Sequence, residues 1–402
     1  MPRRTGGFIG HRGLQAPDPP TAVTSTAGVG NVSVAFTAPS DVGDDAITGF
    51  VAQVSTDGTD YSAGSNTGSS SPIVVTSLTN GTAATAKVWA INAHGTSVPS
   101  AASSSFTPVT PRGLFAGGRT TGAADSAVNT IDFILPSSAG NATDFGDLSV
   151  ARQELGVGSA GSGTRGLFFG GENVSGNKTN IVDYVTLGST GNASDFGNLT
   201  GNRNQSGTCS SDTRALSGGG SDQLAIDYFT IASTGNATDF GDLVNPGNGK
   251  STGLSGLASP TRGIFGSVAD GGGDQINYVT IASAGNAQDF GNLTASAQKH
   301  GSGSNNTRGI FTGGGANTIQ YITIGSTGNA SDFGDLSISA EGNTAVTDAT
   351  KMCIALSSDG SSAVNTIDQI TIASAGNATD FGDTSVTRQG LAGASSVHGG
   401  LS

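Results

Sequence analysis

Charge is scarce in this sequence, and positive charge scarcest. Lys and Arg number 17 against 30 Asp and Glu, and the four types together make up 12% of 402 residues. With a formal net charge of −13 and no basic stripe beyond residue 17, the composition argues against a nucleic-acid partner, since a polyanion is held by Lys and Arg. The acidity reads as solubility. Cysteine is nearly absent: Cys209 and Cys353 cannot make a disulfide framework and read as small buried residues. Four histidines, His11, His94, His300 and His398, have no metal-ligand spacing and read as surface polar residues. No run approaches the ~20 apolar residues of a membrane span, so no membrane insertion is expected. Residues 1–17, MPRRTGGFIGHRGLQAP, contain no apolar core of a secretory signal. That fits a protein assembled in a cytoplasm and released by lysis.

What is abundant is Gly, at 65 positions, followed by Ser, Thr, Asn and Ala. Such a composition resists long helices, because Gly loses too much backbone freedom and Ser, Thr and Asn bond their own backbone. It suits short strands joined by turns, and an all-β chain is expected. Residues 18–109 carry the first set: VSVAFTAP from Val32, ITGFVAQVS from Ile47, IVV from Ile73 and TAKVWAIN from Thr85. Short alternating strands broken by Gly, Pro and Asn predict a β-sandwich. The order PP…VSVAFTAP…ITGFVAQVS…SLTNGTAATAKVWAINAHGTSVPS resembles a fibronectin type III domain across this whole unit. Phe36 stands where that family usually has a Trp, Phe50 where a Tyr is usual, and Ala84 at the tyrosine-corner position. Trp89, the only Trp, alternates with Val88 and Ala90 and is expected to face outward.

Residues 110–402 repeat. The block GNATDFGDL from Gly140 recurs from Gly191, Gly235, Gly285, Gly328 and Gly376, with its Phe at positions 145, 196, 240, 290, 333 and 381. The steps of 51, 44, 50, 43 and 48 residues are the period of a blade-like or coil-like array. Five copies open on a basic residue and an apolar run at Arg112, Arg165, Arg214, Arg262 and Arg308, with Lys351 in the last. A Gly cluster usually follows. Next comes an apolar column (Ile131, Val182, Ile226, Ile276, Ile319, Ile367), one polar residue, and an aromatic column (Phe133, Tyr184, Tyr228, Tyr278, Tyr321, with Gln369 last). Apolar, polar, aromatic reads as strand alternation. This grammar resembles the Kelch repeat, with Phe in the place of that family's Trp, and the resemblance implies a six-bladed β-propeller. The alternative is a β-solenoid.

No catalytic, cofactor or metal residues are assigned. The Asp residues of each block, Asp144 and Asp147 for instance, are read as closing turns through their own backbone together with the Asn, rather than as Ca²⁺ ligands. Residues 1–17 hold the local positive charge: Arg3, Arg4 and Arg12 flank Phe8 and Ile9, with glycines between them. They are expected to form an arm that orders on a partner. Trp89 is the remaining candidate contact residue. A fibronectin type III module followed by Gly/Ser/Asn-rich Kelch-like repeats resembles the appendage and tail-fibre proteins of tailed bacteriophages, marine phages especially. The resemblance implies a virion structural protein, in multiple copies, assembled in the host cytoplasm. The arm would dock on other virion proteins, and the propeller would contact a host surface glycan or protein. The alternatives are a bacterial surface adhesin and a carbohydrate-active enzyme.

Overall fold

The computed structural model describes residues 15–244, 251–268 and 273–401. The chain is all-β and divides into two units, Met1–Thr110 and Pro111–Ser402. Among the described residues the one helical turn is Ala124–Ser126, and no helix is long and apolar enough to cross a membrane.

In the first unit one sheet joins Thr21–Gly28, Asn31–Thr37 and Ile73–Val75, and the other orders Gly64–Gly68, Gly49–Ser55, Thr85–Asn92 and Gly95–Thr96. Every second residue of each central strand is buried. Val32, Val34, Phe50, Ala52, Val54, Val75, Val88 and Ala90 form the shared core, and the Phe36 and Phe50 rings lie 4.8 Å apart. Ala84 sits in that core, bridged to Phe106. The free edge of Thr85–Asn92 is satisfied in a way the sequence did not announce. Ser97, Ser100 and Ser103 lie three apart, and their hydroxyls accept the N–H groups of Ala90, Val88 and Ala86 at 2.9–3.0 Å.

Among the described residues the second unit has six main antiparallel sheets, each running from an inner to an outer strand, and a short two-stranded one that pairs Arg152–Gln153 with Glu172–Asn173. Sheet three shows the plan: Gly207–Ser210, Arg214–Gly218, Ala225–Thr230, Thr238–Asp242. In sheet two the inner position is taken by residues 156–161, held by Leu167 N–H to the Ala160 carbonyl at 3.0 Å and Gly156 N–H to that of Phe169 at 2.9 Å. Sheet one is completed from the other end of the unit, because Ala392–Ser395 pairs with Gly113–Ala116. Inner strands touch their successors from sheet to sheet, and the first and sixth are also packed together. The circuit is therefore closed. Inner strands are built mostly from Gly, Ala, Ser and Thr, since neighbouring strands crowd there.

The recurring block is the joint between sheets. Asn192 Oδ1 accepts the Asp147 N–H at 3.1 Å, while Gly191 and Ala193 donate to the carbonyls of Phe145 and Asp147. The same three bonds recur at every junction, ending with Asn141 on Asp383. The outer edge of each sheet is thereby covered by its neighbour, which removes the exposed edge that invites aggregation. This corrects the expectation that Asn closes its own turn: its side chain reaches the next sheet. Gly146 is required there. Its φ is +148° and a Cβ would lie 2.5 Å from the Gly191 carbonyl oxygen. The β-bulge between Asp144 and Gly146 turns Phe145 into the core, 2% exposed.

The leading basic residues form a second joint. Arg112, Arg165, Arg214, Arg262 and Arg308 each donate to a carbonyl of the following sheet at 2.8–3.1 Å. Each guanidinium also lies 4.5–5.0 Å from the aromatic ring of its own sheet. In sheet six, Gln369 replaces the ring, and its amide donates to the Pro136 carbonyl of sheet one at 2.8 Å.

Candidate functional site

Two polar features of the second unit stand apart from these joints. The first is a set of buried ion pairs. Arg152 Nη2 lies 2.7 Å from Asp183 Oδ2, Arg203 3.0 Å from Asp227, and Arg388 2.8 Å from Asp132, all fully buried. Each carboxylate also accepts both the N–H and the hydroxyl of Ser149, Thr200 or Ser385, three residues before its arginine. Simple alternation is thus corrected: the polar residue beside the aromatic column is fully buried and the aromatic only partly. Both faces of the strand are covered, by the sheets before and after it. Where the arginine is missing, two sheets also lack the acid and carry Asn277 and Gln320, which accept from Val244 and Thr294. Sheet six keeps Asp368 with Ala340 in the arginine position. Burial pushes its carboxyl up, and Oδ1 has no hydrogen-bond partner.

The second feature is a belt at the mouth of the circuit. Glu154, Gln205, Gly253, Lys299, Gly342 and Gly390 occupy equivalent places just before the inner strands. All six have left-handed backbone, with φ between +50° and +73°. Glu154 N–H donates to the Gly390 carbonyl at 2.8 Å, Gln205 to Glu154 at 2.9 Å, Lys299 to Gly253 at 2.7 Å and Gly342 to Lys299 at 3.0 Å. Glycine adopts this conformation freely, whereas any other L-residue in it costs about 1–2 kcal/mol. Three sister positions show that glycine serves the belt, yet Glu154, Gln205 and Lys299 are used in the others.

Those three side chains edge a small cup of about 50 Å³. Beneath it lie Leu155, Val157, Leu254 and Leu391, all buried, the three leucines at most 1% exposed. Glu154 is the hub of its rim. Its Oε2 accepts Gln205 Nε2 at 2.6 Å and Asn204 Nδ2 at 3.0 Å, while Oε1 faces Arg119 at 3.6 Å and Lys299 Nζ at 4.0 Å. Glu172 stands behind, bonded to Asn204 at 2.7 Å. Burial, and then the neighbouring Glu154, push its carboxyl up. The rim carries both acceptors and donors, largely paired with one another.

The inner strands are closed at their other end by residues 397–401. Thr347 Oγ1 donates to the Val397 carbonyl at 3.0 Å, and His398 Nε2 lies 3.3 Å from Ser210 Oγ. His300 and His398 are buried, a correction to the surface positions expected of them, and burial pushes both down to about 4. Burial pushes the Cys209 and Cys353 thiols up to about 12. Among the described residues no three His, Cys, Asp or Glu side chains cluster as metal ligands.

Arg3, Arg4, Phe8, Ile9 and Arg12 lie outside the described residues. Trp89 is half-buried, in register with Val51, and meets the Tyr61 ring edge-on at 6.3 Å. The residues of the belt and the buried arginines escaped the sequence reading. A signal existed: SVARQEL from Ser149 and SVTRQGL from Ser385 align, placing Arg152 on Arg388 and Glu154 on Gly390. No family model and no curated protein matches the chain. Among solved structures it is similar to "Crystal structure of domains A168-A170 from titin", at 23% identity over 24% of this chain and 33% of that one, with a TM-score of 0.23. The chain thus spans a third of that structure's length, and a likeness at this score carries no argument.

Proposed function

We propose that the chain is a non-catalytic structural and binding protein, a bacteriophage virion appendage or tail-fibre component. In this reading the first unit is a fibronectin type III-like spacer. The second is a six-bladed Kelch-like β-propeller whose mouth contacts the host surface, and residues 1–17 dock on other virion proteins. The observation that carries the binding role is a division of labour. The recurring residues are consumed by joints between sheets, whereas the belt departs from its own repeat at three strained positions and lines a cup with them. Strained non-glycine backbone gathers where a site is used. Support for the virion setting comes from the resemblance in domain order and composition, which is an argument from architecture. Against catalysis stand the thiols and the two histidines held buried in their neutral forms.

The test is direct. Mass spectrometry of virions purified from a culture expressing the gene is expected to detect the chain, and recombinant full-length protein is expected to compete with those virions for host cells. Absence of the chain from virions overturns the reading. Deleting residues 1–14 should abolish incorporation while leaving the soluble protein folded.

A further inference from the structure

We infer that residues 1–14 have a docking site on their own chain, the outer face of the sheet that carries Trp89, which gives the arm a resting place and stands apart from the virion reading. One face of that sheet builds the core of the first unit. On the other, Lys87, Trp89 and Ile91 alternate with the buried Val88 and Ala90, and Val51 lies in register with Trp89 on the neighbouring strand. Tyr61 meets Trp89 edge-on, and the Lys87 ammonium is drawn onto the Tyr61 ring, 4.5 Å from its centre. Val51, Tyr61, Trp89 and Ile91 thus form an apolar stripe that stays open to solvent along part of its surface. A part-exposed Trp among aliphatic side chains is the kind of anchor on which binding surfaces rely. The central strand of the opposite sheet turns only Asn31, Ser33 and Ala35 outward, with no ring among them.

Charge and reach identify the occupant. Residues 15–110 hold six acids, Asp18, Asp41, Asp44, Asp45, Asp57 and Asp60, against Lys87 alone, whereas residues 1–14 hold Arg3, Arg4 and Arg12 and no acid. Gln15 is pinned at one end of the stripe. Its N–H donates to Asp44 Oδ2 at 2.7 Å, and its carbonyl accepts Asn92 Nδ2 at 3.0 Å. Asn92 ends the strand that carries Trp89. At about 3.4 Å per residue, Trp89 lies roughly 10 Å back along that strand and Thr85 roughly 24 Å. Ile9 can stand up to about 20 Å from Gln15, and Arg4 up to about 36 Å. Phe8 and Ile9 therefore reach Trp89 and Val51 with slack, while Arg12 stays near Asp44 and Asp45. Arg3 and Arg4 reach the turn of Asp57 and Asp60, just beyond Ser55, the register partner of Thr85. A tether this short sets a local concentration on the order of millimolar, so the chain's own arm outcompetes that of a second copy.

Trp89 is the only Trp, so Trp fluorescence reads this face alone. In the full chain the emission is expected to lie to the blue of that from a chain lacking residues 1–14, and acrylamide should quench it at least about twofold less, as for a covered ring. The full-length chain with Phe8→Ser and Ile9→Ser should behave like the truncated one. A peptide of residues 1–14 added to the truncated chain should restore the blue shift saturably, and going from about 0.05 to about 0.5 M salt should weaken that binding at least about threefold. Emission and quenching unchanged by the deletion, or unchanged by the double substitution, would overturn the proposal. So would a blue shift that appears only as the chain concentration rises, since that assigns the face to the arm of a second copy. A chain present in virions whose Trp89 is bare sinks this inference alone. A chain absent from virions whose Trp89 is covered sinks the virion reading alone.

Discussion

Asp368 is buried where three other carboxylates each have an arginine, and it is held instead by Ser337, whose N–H donates to it at 2.8 Å. Its carboxyl is pushed up by burial. An acid raised in the folded state binds a proton more tightly there than in the unfolded chain. Its contribution is therefore present below the ordinary value of 3.8 and is lost as pH rises through the folded value. Asp368→Asn, the residue type that sheet four already uses at Asn277, should stabilise the protein at pH 7 by about 1 kcal/mol. The difference should shrink towards pH 3, and melting curves across that range check both the sign and the window. Arg203→Ala should do the opposite. Stranding Asp227 in the interior costs about 3–5 kcal/mol. Adding Asp227→Asn to that variant should recover a large part of the loss in denaturant titrations, because sheets four and five live without either charge.

At the scale of the element, the unit of construction is the joint rather than the sheet. A single sheet of this kind has an open outer edge and two apolar faces, and neither is stable in water alone. The Gly-Asn-Ala segment of one sheet covers the edge of another, and the bulge that admits it sends Phe145 and its five counterparts inward. Gly146→Ala would strain a φ of +148° and drive a Cβ into the Gly191 carbonyl. It should cost about 2 kcal/mol or more. Gly325→Ala is the control. Nothing lies within 4 Å of its Cβ, and thermal unfolding should barely register it. Asn329→Ala, which removes only the side-chain bond to Asn292 N–H at 3.0 Å, should fall between the two at about 1 kcal/mol.

At the scale of the molecule, closure depends on the strand Ala392–Ser395 and on the segment after it, which packs on inner strands of several sheets. A chain ending at residue 390 should lose the cooperative transition of the second unit. The first unit, with its own core, should keep its transition, and calorimetry with limited proteolysis distinguishes the two. The repeat grammar was legible in the sequence because every junction imposes the same steric demand. Glycine is needed where a neighbour's peptide approaches, Asn where a backbone N–H is offered, and Phe where the bulge points inward. The strand pattern of the first unit was legible for a similar reason, since one covered face writes period two into the residues. The sequence left open how distant residues meet. The partner of Asn192 lies 45 residues away, that of Asn141 242 residues away, and the buried arginines find their carboxylates across a sheet boundary. The belt is the clearest case. Gln205 and Lys299 fall in segments that repeat poorly, and all three residues look like ordinary surface residues. Only the closing of six sheets on one centre brings their equivalent positions to a single mouth, and only there does one residue's departure from glycine acquire a chemical meaning.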